Sequence, residues 1–286
     1  MEKLVLNTEY PVQMNNNLLL GKQSMGINEA KLLRLVIMQV VKQDEDFKTY
    51  TASIKDLAVT LNIQSGNLYR DVQKICENLL QSLVRVGDGN PKHKWKTFQW
   101  MSSAGYENGI VTLKMHEEIK PYLLGMNGYF TTYSCENILA MNSFYGVRLY
   151  ELITFKLMNG EVVDGREVEL TVDEIRKACG CEKKYERMSS FKEKVINIAV
   201  KEINEFANIK VVKNYEKKTK NGMEKVYYKD VKHGRNIESF KFYITVKHGD
   251  VSKISEEKKA EIETKIKRMA EKNAKKLDAI AIIKGQ

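Results

Sequence analysis

Residues 53–101 read SIKDLAVTLNIQSGNLYRDVQKICENLLQSLVRVGDGNPKHKWKTFQWM. Ser53 is suited to cap a brief helix over IKDLAVTLNI, because its hydroxyl can accept from an orphan amide of the first turn. Gln64-Ser65-Gly66-Asn67 reads as a turn. A longer helix follows in LYRDVQKICENLLQSLV, with Leu68, Val72, Ile75 and Cys76 at helical spacing. VRVGDGNPKHKWKTFQWM is then a strand, a Gly/Asp/Asn/Pro turn and a returning strand. Upstream, Asn28 is a plausible N-cap for an amphipathic helix carrying Leu32, Leu33, Leu35, Val36 and Val40, and Lys48–Ala52 is a short β-like run. Helix, strand, helix, turn, helix, hairpin is the plan of a winged helix. The hairpin is the wing, and the helix before it is the recognition helix.

The same order recurs downstream. SFYGVRLYELITFKLMN is an amphipathic helix, REVELT a strand, TVDEIRKACG a short helix and FKEKVINIAVKEINEF a long one. IKVVKNYEKKTKNGMEKVYYKDV reads as a hairpin with a basic tip at Lys217, Lys218 and Lys220, and IESFKFYITV as a further strand. Arg34 aligns with Arg148 at an offset of 114; Ser53, Asp56 and Leu57 align with Thr171, Glu174 and Ile175 at 118. Leu68, Val72, Ile75 and Cys76 align with Phe191, Val195, Ile198 and Ala199 at 123, so the second copy has longer loops. The fold class is α+β: tandem winged helices over residues 1–125 and 126–250, then a charged helical tail over 251–286. In that tail Ile262, Ile266, Met269, Leu277 and Ile280 recur at helical spacing, as a helix resting on the body or a coiled-coil contact would need.

Composition sets outer bounds. The chain has 286 residues, 43% hydrophobic and 29% charged, which fits about two domains with their own cores. No run approaches the ~18 uncharged apolar residues of a membrane span, and MEKLVLNTEYPVQ is too polar for a signal sequence, so a cytoplasmic protein is expected. A net charge of +10 favours a polyanionic partner without choosing which. Cys76, Cys135, Cys179 and Cys181 form no CxxC pair, so buried reduced thiols are expected and no metal or cofactor.

The second half resembles a known family. Its carriers are Arg148-Leu149-Tyr150-Glu151-Leu152 and, later, Phe191-Lys192, Val195-Ile196, Ala199 and Glu202-Ile203-Asn204. These are similar to the RLYELL-type and FKxxVLxxAxxEIN-type helices of the initiator Rep proteins of iteron-containing, theta-replicating plasmids. The opening around MGINEAKLL is similar to the first domain of that family, and the resemblance spans about residues 5 to 247. It implies binding of double-stranded DNA at direct repeats of an origin and opening of adjacent A·T-rich duplex. It implies recruitment of host replication initiation proteins and helicase. It also implies a monomer–dimer equilibrium in which the dimer represses its own gene, the first domain supplying the dimer contact and the second the main base recognition.

Candidate contacts follow from helical phase. Along 189–206, at ~100° per residue, Phe191, Val195, Ile198, Ala199, Glu202 and Phe206 share one side, mostly apolar. Ser190, Glu193, Asn197 and Asn204 lie opposite, flanked by Lys194 and Lys201. Ser190, Lys194 and Asn197 are the candidates for base edges, since lysine can donate to guanine, asparagine can pair with adenine and serine can serve either. Lys183, Lys184, Arg187 and Ser189 precede or open the helix, where phosphate is the natural partner. The first half presents Asn67, Arg70, Asp71 and Lys74, and a wing with Lys92, Lys94 and Lys96 around Trp95. Alternation along 94–98 is expected to put lysines on one face and aromatic residues on the other. Arg148 and Glu151 read as a structural pair near the core.

His93, His116, His233 and His248 are scattered, so the His-x-His of a nicking enzyme is lacking, and no GxxxxGK[ST] phosphate loop exists. Two rival readings stand: a winged-helix transcription regulator with no replication role, and an unrecognised origin-nicking enzyme.

Overall fold

The computed structural model describes residues 2–4, 11–40, 44–63, 67–87, 92, 94–124, 129–158, 165–220 and 222–247. The tail expected over 251–286, the turn at Gln64-Ser65-Gly66 and part of the first wing's tip lie outside them.

Helix Ile27–Met38 is buried nearly all round, Glu29, Lys31 and Arg34 as well as Leu32, Leu33, Leu35, Val36 and Ile37. It starts at the Gly26 cap and not at Asn28. Ser53 caps helix Ile54–Thr60 as expected, its Oγ accepting from the Asp56 amide at 3.1 Å. Helix Leu68–Gln81 buries Val72, Ile75, Cys76 and Leu79, the i, i+3, i+4, i+7 face of an amphipathic helix. The wing pairs Leu83–Val86 with Lys96–Gln99, and Leu83–Val86 also pairs with Lys22–Gln23. A second hairpin follows, Met101–Glu107 against Ile110–Met115. Asn108 and Gly109 close it with φ of 48° and 83°, the left-handed pair of a two-residue turn that Asn-Gly favours. Ile110–Met115 then pairs with Thr49–Ser53.

In the second half, strand Asn236–Val246 is central. Arg166–Thr171 lies along one edge. The other edge is shared end to end by Ile209–Val212 and Tyr228–His233. The expected hairpin over 209–231 is therefore not one continuous hairpin. Its outer parts pair with strand 236–246, and only Tyr215–Thr219 and Gly222–Val226 pair with each other, projecting as the wing.

The halves share a core. Strand Pro11–Asn15 pairs antiparallel with Phe130–Ser134, and Asn16 Oδ1 accepts from the Thr131 hydroxyl at 2.8 Å. Helix Phe144–Met158 packs on Asn197–Phe206. Gly146 makes room there: a Cβ on it would fall 2.2 Å from the Glu202 carboxylate. That carboxylate accepts from the Asn142 and Ser143 amides at 2.9 and 3.2 Å, capping helix Phe144–Met158. Glu202 is thus buried by design of the helix start, which explains the one charge on the apolar side. Gly180 (φ +59°) sits against the first half, where a Cβ would lie 2.5 Å from the Gln23 carbonyl oxygen.

Arg34 and Arg148, the pair related by the repeat, converge on Glu151. Arg34 donates from Nε and Nη2 to its two oxygens at 3.1 Å each, and Arg148 donates to it from Nη1. Tyr133 also donates to Glu151, while Arg148 reaches the carbonyls of Leu19, Gly21 and Ala178. All three charged side chains are fully buried.

Candidate nucleic-acid interface

The second helix-turn-helix begins at Thr171. Its hydroxyl accepts from the Glu174 amide while the Glu174 carboxylate accepts from the Thr171 amide, a reciprocal capping box for helix Val172–Ala178. The loop that follows is held by Arg176. Its guanidinium donates to the carbonyls of Cys181 (3.3 Å), Lys184 (2.6 Å) and Tyr185 (2.8 Å) and lies 4.2 Å over the Phe191 ring. Tyr185 takes φ +53° and stacks edge-on against Tyr145, turning the chain into the next helix. Lys183, Lys184 and Arg187 are exposed on this loop, with Arg187 in the cap position.

The helix over 188–206 is continuous but not uniform. Met188–Phe191 and Asn197–Phe206 are α-helical, and Lys192–Ile196 forms a π turn. The extra residue rotates the two parts relative to each other. The core side is Phe191 before the turn, Val195 and Ile196 within it, and Ala199, Val200 and Ile203 after it. Ile198, expected in the core, is 39% exposed as a result. Asn204, expected on the open face, instead grips strand 209–212, donating to the Val211 carbonyl (3.0 Å) and accepting from its amide (2.7 Å).

Ser189, Lys194 and Asn197 are exposed and Ser190 is half-buried. Lys194 pairs with neighbouring Glu193 at 2.9 Å, an exposed contact of little strength. Asn197 Oδ1 accepts from the Tyr228 hydroxyl at 2.9 Å, so strand 228–233 fixes its orientation. The same strand anchors the helix through Asp230, which receives the Lys192 ammonium at 2.6 and 2.7 Å.

Between this helix and the wing runs an open groove. Lys201, Lys213, Lys217, Lys225, Lys229 and Lys232 line it, with Glu205, Glu216, Glu224 and Asp230 interspersed. Lys217 faces Glu224 across the hairpin; Lys218 and Lys220 are exposed on its outer strand and turn. Lys213, Lys225, Lys229 and Lys232 escape a reading that stops at the hairpin tip. Their signal is the density of lysine over the whole stretch from 213 to 232.

In the first half Asn67, Arg70 and Lys74 are exposed on or beside helix Leu68–Gln81, and Lys92, Lys94 and Lys96 on the wing. Lys96 pairs with Glu118 at 3.1 Å. The expected segregation of lysines from aromatics fails: Trp95 is 50% exposed under the Arg85 guanidinium, whereas Phe98 is buried. A strand period of two puts Phe98 in phase with Lys94 and Lys96, which is the physical reason. Lys177 donates to the Gly87 carbonyl at 2.8 Å, tying the base of this wing to the second half.

No cluster suited to a metal ion occurs among the described residues. All four cysteines are buried and free; burial pushes the thiols of Cys76 and Cys135 up to about 11 and about 12, far from the reactive thiolate range. Among the described residues no helix is long and apolar enough to cross a membrane.

Two family models match: "Initiator Replication protein, WH1" over residues 11–154 and "Initiator Rep protein, WH2" over 171–244. A curated relative, an uncharacterised 27.6 kDa protein of Escherichia coli, is 24% identical over 170 residues, 54% of this chain and 71% of the relative. Among solved structures, the crystal structure of Pi initiator protein in complex with iteron DNA aligns with a TM-score of 0.64 and 20% identity. The alignment covers 85% of this chain and all of that one.

Proposed function

This chain belongs to the initiator Rep protein family, with both winged-helix domains matched, and from that premise we propose that it initiates plasmid replication by binding direct repeats at an origin. The observation that carries the proposal is a single surface. One anchored helix, a basic loop before it and a lysine-lined wing beside it lie together in the fold of a protein solved on iteron DNA. In this reading Ser190, Lys194 and Asn197 meet base edges. Lys183, Lys184, Arg187, Ser189, Lys217, Lys218 and Lys220 hold phosphate; in the first half Asn67, Arg70 and Lys74 of the recognition helix contact the duplex, and Lys94 and Lys96 of the wing contact its backbone or minor groove.

Residues 1–125 and 126–250 act as the two DNA-binding units, joined through a shared core. The protein works in the cytoplasm by binding, opens A·T-rich duplex beside the repeats, recruits host initiation proteins and helicase, and represses its own gene as a dimer. The test is a titration of the full chain against the tandem repeats beside its gene and against random duplex, at several salt concentrations. Specific affinity of order 10⁻⁸–10⁻¹¹ M with a steep salt slope is expected. Equal affinity for both duplexes would sink the proposal, and metal-dependent nicking of a supercoiled origin plasmid would replace it with an enzymatic one.

A further inference from the structure

The outward face of helix 188–206 carries one side chain that hydrogen-bond chemistry does not explain. Ser190, Lys194 and Ile198 follow at four-residue spacing, so they lie one above another along the helix. Ser190 and Lys194 offer a hydroxyl and an ammonium. Ile198 offers only an aliphatic surface, and 39% of it is exposed.

This exposure is imposed by the backbone. At the matching place in the first half, Ile75 lies in an unbroken α-helix and is buried. In the second half the π turn Lys192–Ile196 adds a residue between Phe191 and Ile198, and Ile196 and Val200 take the core side that unbroken phase would have given to Ile198. π turns are rare and concentrate where function needs a side chain re-aimed. The turn is also held in place: Lys192, its first residue, is ion-paired to Asp230 and sits over the Tyr228 and Phe240 rings.

The major groove displays donors, acceptors and one apolar group, the thymine 5-methyl. An isoleucine beside Lys194 gains nothing from a donor or an acceptor and gains from covering a methyl. We infer that Ile198 reads the 5-methyl group of a thymine in the bound duplex, as a specificity-determining residue next to Lys194. This rests on the reading of helix 188–206 as the major-groove helix.

The full chain is first used to select its preferred duplex from a random-sequence library. Each thymine of that duplex is then replaced singly by deoxyuridine, which removes only the methyl, and titrated against wild type, Ile198→Ala and Ile198→Val. Wild type is expected to lose about fourfold in affinity at one thymine, the worth of one methyl kept from water. Ile198→Ala should bind the thymine and uracil duplexes equally at that position while keeping its response to every other base change. Ile198→Val should retain part of the discrimination. If wild type is indifferent to the methyl at every thymine, or if Ile198→Ala keeps all its methyl sensitivity, the assignment is wrong. If selection returns no preferred sequence, the reading of the chain as a sequence-specific binder fails, and the assignment with it.

Discussion

In the proposed reading, Asn197 is a side chain prepared in advance for its partner. An asparagine free on a helix must lose rotamer freedom when it pairs with a base. Here the Tyr228 hydroxyl holds the carbonyl end of the amide in advance and leaves the amino end open. Lys194→Ala and Asn197→Ala should each cost about 1–3 kcal/mol of specific affinity and relax preference at one position. Tyr228→Phe, which removes only the hydroxyl, should relax preference at the same position as Asn197→Ala and nowhere else. Titration against single-base variants of the repeat decides this; a uniform loss across all variants would mean that Asn197 is not read out at the bases. Arg176 acts one layer further back. Because it satisfies three loop carbonyls at once, Arg176→Lys keeps the charge but cannot reproduce the fork. That variant should lower the salt slope and the affinity together by loosening Lys183, Lys184 and Arg187, with a loss of stability of about 1 kcal/mol from the part-buried carbonyls of Cys181 and Tyr185 left unpaired. An unchanged slope at reduced stability would confine Arg176 to a folding role.

At the level of elements, in the proposed reading, the wing and the helix it flanks divide the work. Strands Tyr215–Thr219 and Gly222–Val226 pair only with each other, and their lysines are exposed. Lys218→Ala and Lys220→Ala should therefore weaken binding to all duplexes alike and flatten the dependence of log K on log salt by about 0.9 per lost phosphate contact. A change in base preference from either would place the wing in a groove. Much of this layout is legible in the chain itself: Ser53 and Thr171 announce their helices by capping chemistry, and the 3.6-residue spacing of Leu68, Val72, Ile75 and Cys76 finds the first recognition helix. Three features are harder. The Asn108-Gly109 hairpin has a plain turn signal, yet it lies past the element that completes a winged helix and is easily passed over. The central place of strand 236–246 depends on pairings across the sheet, which local pattern does not encode. The π turn leaves no mark in hydrophobic period, since Val195 and Ile196 are both apolar; for that reason Ile198 and Asn204 exchange the faces that simple phase assigns them.

For the whole molecule, the decisive feature is how two similar halves become one body. The repeat places an arginine in each half, Arg34 and Arg148, and the fold brings both to one carboxylate, Glu151. Buried charge is costly to desolvate, so such a cluster holds only if each member is satisfied. Gln23 accepts from Arg34 at 2.9 Å, and three backbone carbonyls accept from Arg148, so their dipoles solvate the positive charge that one carboxylate leaves unbalanced. Burial by itself drives the Glu151 carboxyl upward, but Arg34 and Arg148 outweigh it and hold the group below the ordinary carboxylate range. A carboxyl whose pKa is depressed by folding contributes stability that is fully present above the unfolded value, about 4.3, and is lost as pH falls through the folded value. Glu151→Gln keeps the shape and removes the charge, leaving two buried guanidinium groups without a counter-ion. It should cost about 3–5 kcal/mol at neutral pH. The difference from wild type should begin to shrink as pH drops below about 4.3, where the unfolded chain takes up the proton, and should vanish only below the lower folded value, where the native carboxylate is itself neutralised. Denaturant unfolding of both proteins between neutral and acid pH measures it. Curves that stay parallel through the acid range would show that the carboxylate does not supply the link between the halves, and that the apolar core and the 11–15/130–134 strand pair hold them alone.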